Sequence, residues 1–232
     1  MASKILIVFT SADKGLTGGP SGWYLPEAAH PYYVLAPHFD IDFASPKGAN
    51  PPVDPVSVAN YKDDGSVKFL VDEVVQQKLA TCKKLSDVKA SDYVAIFYVG
   101  GQGPCIDLAF DPVNTELANE FWRTGKIVSA VCHGPGALIG CTDASGQSIF
   151  KGRRATCFTV AEEKQLGTQD NIPFQPEEKL KDLGAAFEIA DELFGASDHA
   201  FVKTVVDGKL LTGQNPASAL ALGEDVLKAL KG

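Results

Sequence analysis

Short, uniformly apolar runs alternate along the chain with longer stretches that are apolar on one side only. Lys4 to Thr10 is a β-branched run ended by the Gly-rich stretch from Gly15 to Gly22, and Tyr93 to Val99 and Lys126 to Val131 are further continuous apolar runs. Runs of this length without polar alternation predict strands buried on both faces. Ile41 to Ser45 and Arg154 to Phe158 read as strands as well, and Phe201 to Val206 with Lys209 to Thr212 form a hairpin turning at Asp207-Gly208. From Val67, apolar residues recur at 67, 70, 71, 74, 75 and 79, the one-face pattern of a helix. Glu116 to Trp122, a Gly- and Ala-rich stretch from His133 to Ile139, and Glu177 to Leu183 are further helices. A closing helix follows the Asn215-Pro216 cap and runs to about Leu230. Strands alternating with helices predict an α/β fold with a mainly parallel sheet covered on both faces. Trp23 to Phe39 is aromatic and interrupted by Pro26, Pro31 and Pro37. Residues 1–232 read as one domain, with residues from about 12 to 40 contributing to a small cap. Pro46 to Pro55 reads as a surface loop.

Composition narrows the function classes. The 232 residues carry a net charge of −8 and no basic cluster, which argues against nucleic acid and anionic membranes as partners. The N-terminal apolar stretch is too short for a signal peptide, and no run approaches membrane-spanning length. Five cysteines, at 82, 105, 132, 141 and 157, are odd in number and lack CxxC spacing, so reduced thiols in a reducing compartment are expected. The four histidines stand at no ligand spacing from a cysteine, and no metal site is expected.

In sheets of this type ligands bind beyond the carboxyl ends of the strands. Gly-rich segments follow Thr10, Val99 and Val131. The third, Val131-Cys132-His133-Gly134-Pro135-Gly136, joins a strand to a Gly-bearing helix entrance in the manner of a nucleophile elbow. There Cys132 would feel the positive end of the helix, which favours thiolate, and His133 could serve as acid and base. The alternative is a small buried thiol at a strand end. Gly100 and Gly101 in Gly100-Gly101-Gln102-Gly103 could offer N–H groups to an oxyanion; the alternatives are a phosphate loop, for which no GxGxxG or GxxxxGK[ST] spacing exists, and a plain tight turn. Glu27 lies among aromatics, where burial would raise its pKa and let it donate a hydrogen bond to a thiolate; an exposed first-turn Glu is the other reading.

These segments resemble the ThiJ/PfpI superfamily, and within it the glyoxalase III branch of heat-shock-protein-31-like, glutathione-independent glyoxalases. The resemblance rests on Gly22-Trp-Tyr-Leu-Pro-Glu27, Phe43-Ala-Ser-Pro-Lys-Gly48, Pro52-Val-Asp-Pro55, Gly100-Gly-Gln-Gly103 with Asp107, Val131-Cys-His-Gly-Pro135 and Thr212-Gly-Gln-Asn-Pro-Ala-Ser218, in order over nearly the whole chain. It implies a flavodoxin-like three-layer sandwich, similar to class I glutamine amidotransferases, with a small cap and homodimeric assembly. The implied activity is that of a lyase (lactate dehydratase) turning methylglyoxal, a small 2-oxoaldehyde, into lactate without glutathione and without a cofactor, in the cytoplasm or also the nucleus. Cys132 becomes the nucleophile, His133 its base and Glu27 the carboxyl touching the thiolate. The family's further Glu falls at Glu163 by spacing, with Glu162 as the fallback. Relatives usually carry Gly-Gly-His-Gly where Gln102 stands here. A stress-response holdase or redox sensor with an oxidisable Cys132 is an alternative of another class; a protein deglycase, or a cysteine peptidase or amidase, is a third.

Overall fold

Among the described residues, seven strands form one sheet in the order Lys83–Lys84, Asp40–Ser45, Lys4–Val8, Ala95–Tyr98, Ile127–Val131, Leu210–Gly213, Thr204–Asp207. The computed structural model describes residues 3–193 and 201–232. β1 (Lys4–Val8), β2 (Asp40–Ser45), β3 (Lys83–Lys84), β4 (Ala95–Tyr98), β5 (Ile127–Val131) and β9 (Leu210–Gly213) run parallel, and β8 (Thr204–Asp207) returns antiparallel on β9 through a turn at Gly208. The hairpin read at Asp207-Gly208 is therefore present, whereas the strand expected over Arg154 to Phe158 is only the two-residue β6 (Arg154–Ala155), paired with β7 (Ala186–Phe187) outside the main sheet.

The two faces of the sheet bury different side chains, as a two-residue period requires. Ile5, Ile7, Phe97 and Val131 pack under α1 (Leu25–Leu35) and α8 (Ala219–Lys231). Leu6, Val8, Ile96, Tyr98 and Val128 pack on the other side with Leu117 and Phe121 of α5 (Pro112–Arg123) and Leu180 of α7 (Pro176–Asp182). This is the three-layer α/β sandwich expected from the alternation of elements. Each large apolar side chain fully buried in these layers contributes about 1.5–3 kcal/mol.

Three local readings change. The Trp23 to Phe39 stretch contains α1, a helix that runs through Pro31. Burial of Leu25, Ala28, Ala29, Tyr32 and Leu35 outweighs the bond that Pro31 cannot donate. The single helix expected from Val67 is two, α3 (Asp64–Val71) and α4 (Glu73–Ala80), because the Asp72 carboxylate caps α4 by accepting from Val74 N–H at 3.0 Å. Their buried residues include Phe69 and Val75, while Val67, Val71 and Val74 face outward. The helix expected after Cys132 is a short 3-10 turn, Gly134–Leu138, since Pro135 lacks an N–H and two glycines favour no helix. Among the described residues, no helix is long and apolar enough to cross a membrane.

Candidate active site

β1, β4 and β5 are neighbours, so the three Gly-rich loops seen in the sequence meet at one edge of the sheet. Cys132 follows the last residue of β5 with φ of +60°, one of two non-glycine residues with positive φ among the described residues. That backbone costs of order 1–3 kcal/mol and is typical of a nucleophile elbow. Main-chain bonds on both sides hold it, Cys132 N–H donating to Gly213 O and Phe158 N–H to Cys132 O, both at 2.9 Å.

His133 Nδ1 lies 3.3 Å from Cys132 Sγ, and its other ring nitrogen bonds Glu163 Oε1. Phe158 stacks on the imidazole with centroids 4.8 Å apart, which fixes the ring plane. Glu163 lies in α6 (Val160–Leu166) and is fully buried. It accepts further bonds from Thr168 Oγ1 and from Gln102 Nε2 at 3.3 Å. Burial would push this carboxyl up, but the His133 bond and charge, with Thr168 and Gln102, hold it below the usual range. A carboxylate surrounded by donors is acceptor-only, so the hydrogen on His133 Nε2 points at Glu163 and Nδ1 faces the sulfur. Gln102 also donates to Thr168 O at 3.2 Å. Only an amide NH₂ can serve both acceptors, which settles its orientation.

Glu162, the fallback, points elsewhere. It completes a capping box with Thr159, accepting from Thr159 N–H at 2.8 Å, and also accepts from Gln214 and Asn215 at 3.0 Å. Adjacent glutamates thus face opposite tasks, one tied to the chain's C-terminal loops and one to His133.

Glu27, in the first turn of α1, is fully buried, and among the described residues neither of its oxygens has a well-aligned donor. Burial pushes its carboxyl well above the ordinary value, against weaker help from Cys132 and the Gly100 and Gly101 N–H groups. Burial likewise pushes the Cys132 thiol up, and an ionised Glu27 would push it further, while Gly101 N–H favours the thiolate. The helix-end effect expected to lower this thiol is replaced by a neighbouring carboxyl, because the following turn is not an α-helix. Two anions side by side without solvent would be costly, so the Cys132–Glu27 pair holds one negative charge at most. Gly100 can only be glycine here: a Cβ would stand 2.5 Å from Val131 O and 2.8 Å from Cys132 Cβ. Gly101 has φ of +85° and would collide with Gly22 O.

Gly101, Gln102, Cys132, His133, Glu163 and Thr168 open on a cavity of about 150 Å³, lined also by Tyr24, Asp54, Val56, Leu166 and Asn171, whereas Glu27 and Gly100 lie outside its lining. An apolar cavity of about this size accepts a benzene-sized molecule. The remaining cysteines stand apart in role. Cys82, Cys105, Cys141 and Cys157 are buried and burial pushes all four thiols up. Sequence reasoning missed Asp54 and Thr168 as cavity residues. Asp54 lay within the Pro52-Val-Asp-Pro55 segment that carried the resemblance, at a helix-start position, but no role attached to it.

The family model for the DJ-1/PfpI family matches residues 26–229. The chain belongs to the DJ-1/PfpI family. Among its relatives, the glutathione-independent glyoxalase HSP31 of Saccharomyces cerevisiae is 31% identical over 98% of both chains. The crystal structure of glyoxalase III from Candida albicans superposes with a TM-score of 0.84 at 30% identity, covering 98% of this chain and 97% of that one. Rapid Encystment Protein 24 KDa of Francisella tularensis superposes with a TM-score of 0.89 at 31% identity, covering 98% and 99%. Within the DJ-1/PfpI family, the resemblance read from the motifs thus extends over nearly the whole chain.

Proposed function

We propose that the protein is a glutathione-independent glyoxalase, a lyase of the lactate dehydratase type that converts methylglyoxal and water to lactate. The observation that carries this is Cys132 Sγ set 3.3 Å from His133 Nδ1 in the lining of a cavity sized for a few heavy atoms. Relatives named glutathione-independent glyoxalases, alike over nearly the full chain, support it.

Cys132 sulfur adds to the aldehyde carbon, and the carbonyl oxygen becomes the hydroxyl of a hemithioacetal. The Gly101 N–H faces the developing oxyanion. His133 takes the proton from that carbon and returns one to the neighbouring carbon through an enediol, so the first carbon is oxidised and the second reduced with no outside electron carrier. Water then cleaves the lactoyl thioester, releasing lactate and a proton and restoring the thiol. Glu163 keeps His133 in the required tautomer. Glu27 holds the proton of the Cys132–Glu27 pair and donates it as a hydrogen bond to sulfur.

The purified protein should form lactate from methylglyoxal in buffer free of glutathione, followed by enzymatic lactate detection; methylglyoxal left unconsumed would sink the reading. The Glu27 role has its own check, the pH dependence of alkylation at Cys132 by iodoacetamide. Glu27→Leu should raise the thiol pKa by about one unit or more, because a hydrogen-bond donor to thiolate is lost. A fall would mean that Glu27 stands ionised beside a neutral thiol.

A further inference from the structure

The segment Pro52-Val-Asp-Pro55 takes no part in the chemistry above, yet Asp54 stands in the cavity wall. Its place is fixed twice over. Trp23 N–H donates to Pro52 O and Asp54 N–H donates to Trp23 O, both at 2.9 Å, so the segment pairs with the chain entering α1. The Asp54 carboxylate then caps α2 (Pro55–Asn60), with Oδ1 accepting from Val56 N–H at 2.8 Å and Ser57 N–H at 3.0 Å. Burial pushes this carboxyl up, and the two N–H bonds oppose it by favouring the ionised form. Its charge reaches into the site: after burial, Asp54 is among the groups that push Glu27 and Tyr24 toward their protonated forms.

The other carboxylate in the wall is Glu163, and among the described residues lining the cavity none is Lys or Arg. Glu163 is bonded to His133, whereas Asp54 accepts from backbone N–H groups, and a carboxylate in the low-dielectric wall of a small cavity concentrates its field on whatever enters.

We propose that Asp54 makes the cavity a charge filter, admitting neutral 2-oxoaldehydes while rejecting 2-oxo acids and expelling a carboxylate product. The inference rests on reading this cavity as the substrate site. The proposed reaction turns a neutral dicarbonyl and water into a carboxylate and a proton, so the Asp54 charge acts against product far more than against substrate. Glyoxylate and pyruvate present the same vicinal oxygens in nearly the same volume, so shape cannot reject them. A like charge can, at no cost in binding the neutral substrate.

The test uses iodoacetamide and iodoacetate, which share a shape and differ in charge, on the full chain, with Cys132 alkylation followed by peptide mass. Neither reagent needs turnover. In the wild type, the iodoacetamide-to-iodoacetate rate ratio, divided by that of N-acetylcysteine, should be at least about tenfold. Asp54→Asn keeps a capping oxygen and should lower that ratio severalfold. The same variant should be inhibited more strongly by lactate during methylglyoxal turnover. A normalised ratio near one in the wild type, or an unchanged ratio in Asp54→Asn, overturns the filter. If the ratios behave as expected but no lactate forms from methylglyoxal, the glyoxalase reading falls and the filter stands.

Discussion

Cys132→Ala is expected to lower lactate formation from methylglyoxal by at least about 10³-fold, to the level of buffer, while the chain stays folded. The size follows from the proposed chemistry, in which every intermediate is attached to that sulfur and no other group in the cavity can replace it. His133 and Glu163 would remain in place, since Glu163 is held by Thr168 and Gln102 as well. Folding should survive, because the main-chain bonds at position 132 do not involve the thiol. Removal of a few buried atoms costs little beside the removal of the nucleophile. Lactate measured over time in glutathione-free buffer, with circular dichroism as a check on folding, decides the point. Turnover retained within about tenfold of wild type would end the case for covalent catalysis by Cys132.

The second large effect separates two neighbouring side chains. Glu163→Gln should reduce kcat by roughly 10²–10⁴-fold with little change in Tm. The amide has the same shape but can present NH₂ to the imidazole, and His133 would then lose the partner that keeps hydrogen on Nε2 and a lone pair on Nδ1. Glu162→Ala should do the reverse. It strips the capping box and leaves the Gln214 and Asn215 amides without their buried acceptor. The cost should be on the order of 3 kcal/mol, a fall in Tm of roughly 6–12 °C for a chain of this size. Thermal melts and initial rates on both variants give the comparison. An active Glu163→Gln protein would remove Glu163 from the mechanism.

Much of this was legible in the sequence. Continuous apolar runs marked β1, β4 and β5, and their loops had to share one sheet edge once the strands ran parallel. Cys132 stood out because a reactive residue at a strand end, followed by His133 and then Gly134-Pro135-Gly136, leaves few backbone choices. Glu27 and Glu163 were different. Their burial depends on α1 lying against the sheet and on α6 presenting its first turn to His133, 30 residues away. No local pattern records either event: the aromatic neighbours of Glu27 left its burial open, and only the family resemblance singled out Glu163. Pro31 hid α1 altogether, and Asp72 split a helix whose apolar spacing looked continuous. The reading of Cys132 as tuned by a helix end failed for a local reason, a Gly-Pro-Gly turn too short and poor in N–H groups to act as one.

The capping box at the start of α6 has a consequence for how this chain can change. Thr159 and Glu162 lock the rotational phase of the helix, and that phase aims Glu163 at His133. Each residue advances an α-helix by about 100°. One residue inserted or deleted between Thr159 and Glu163 would therefore swing the acidic pair around the axis, and cap and active site would be lost in a single event. Length variation among related chains should gather in the loops on either side of this segment, where an extra residue leaves the phase untouched.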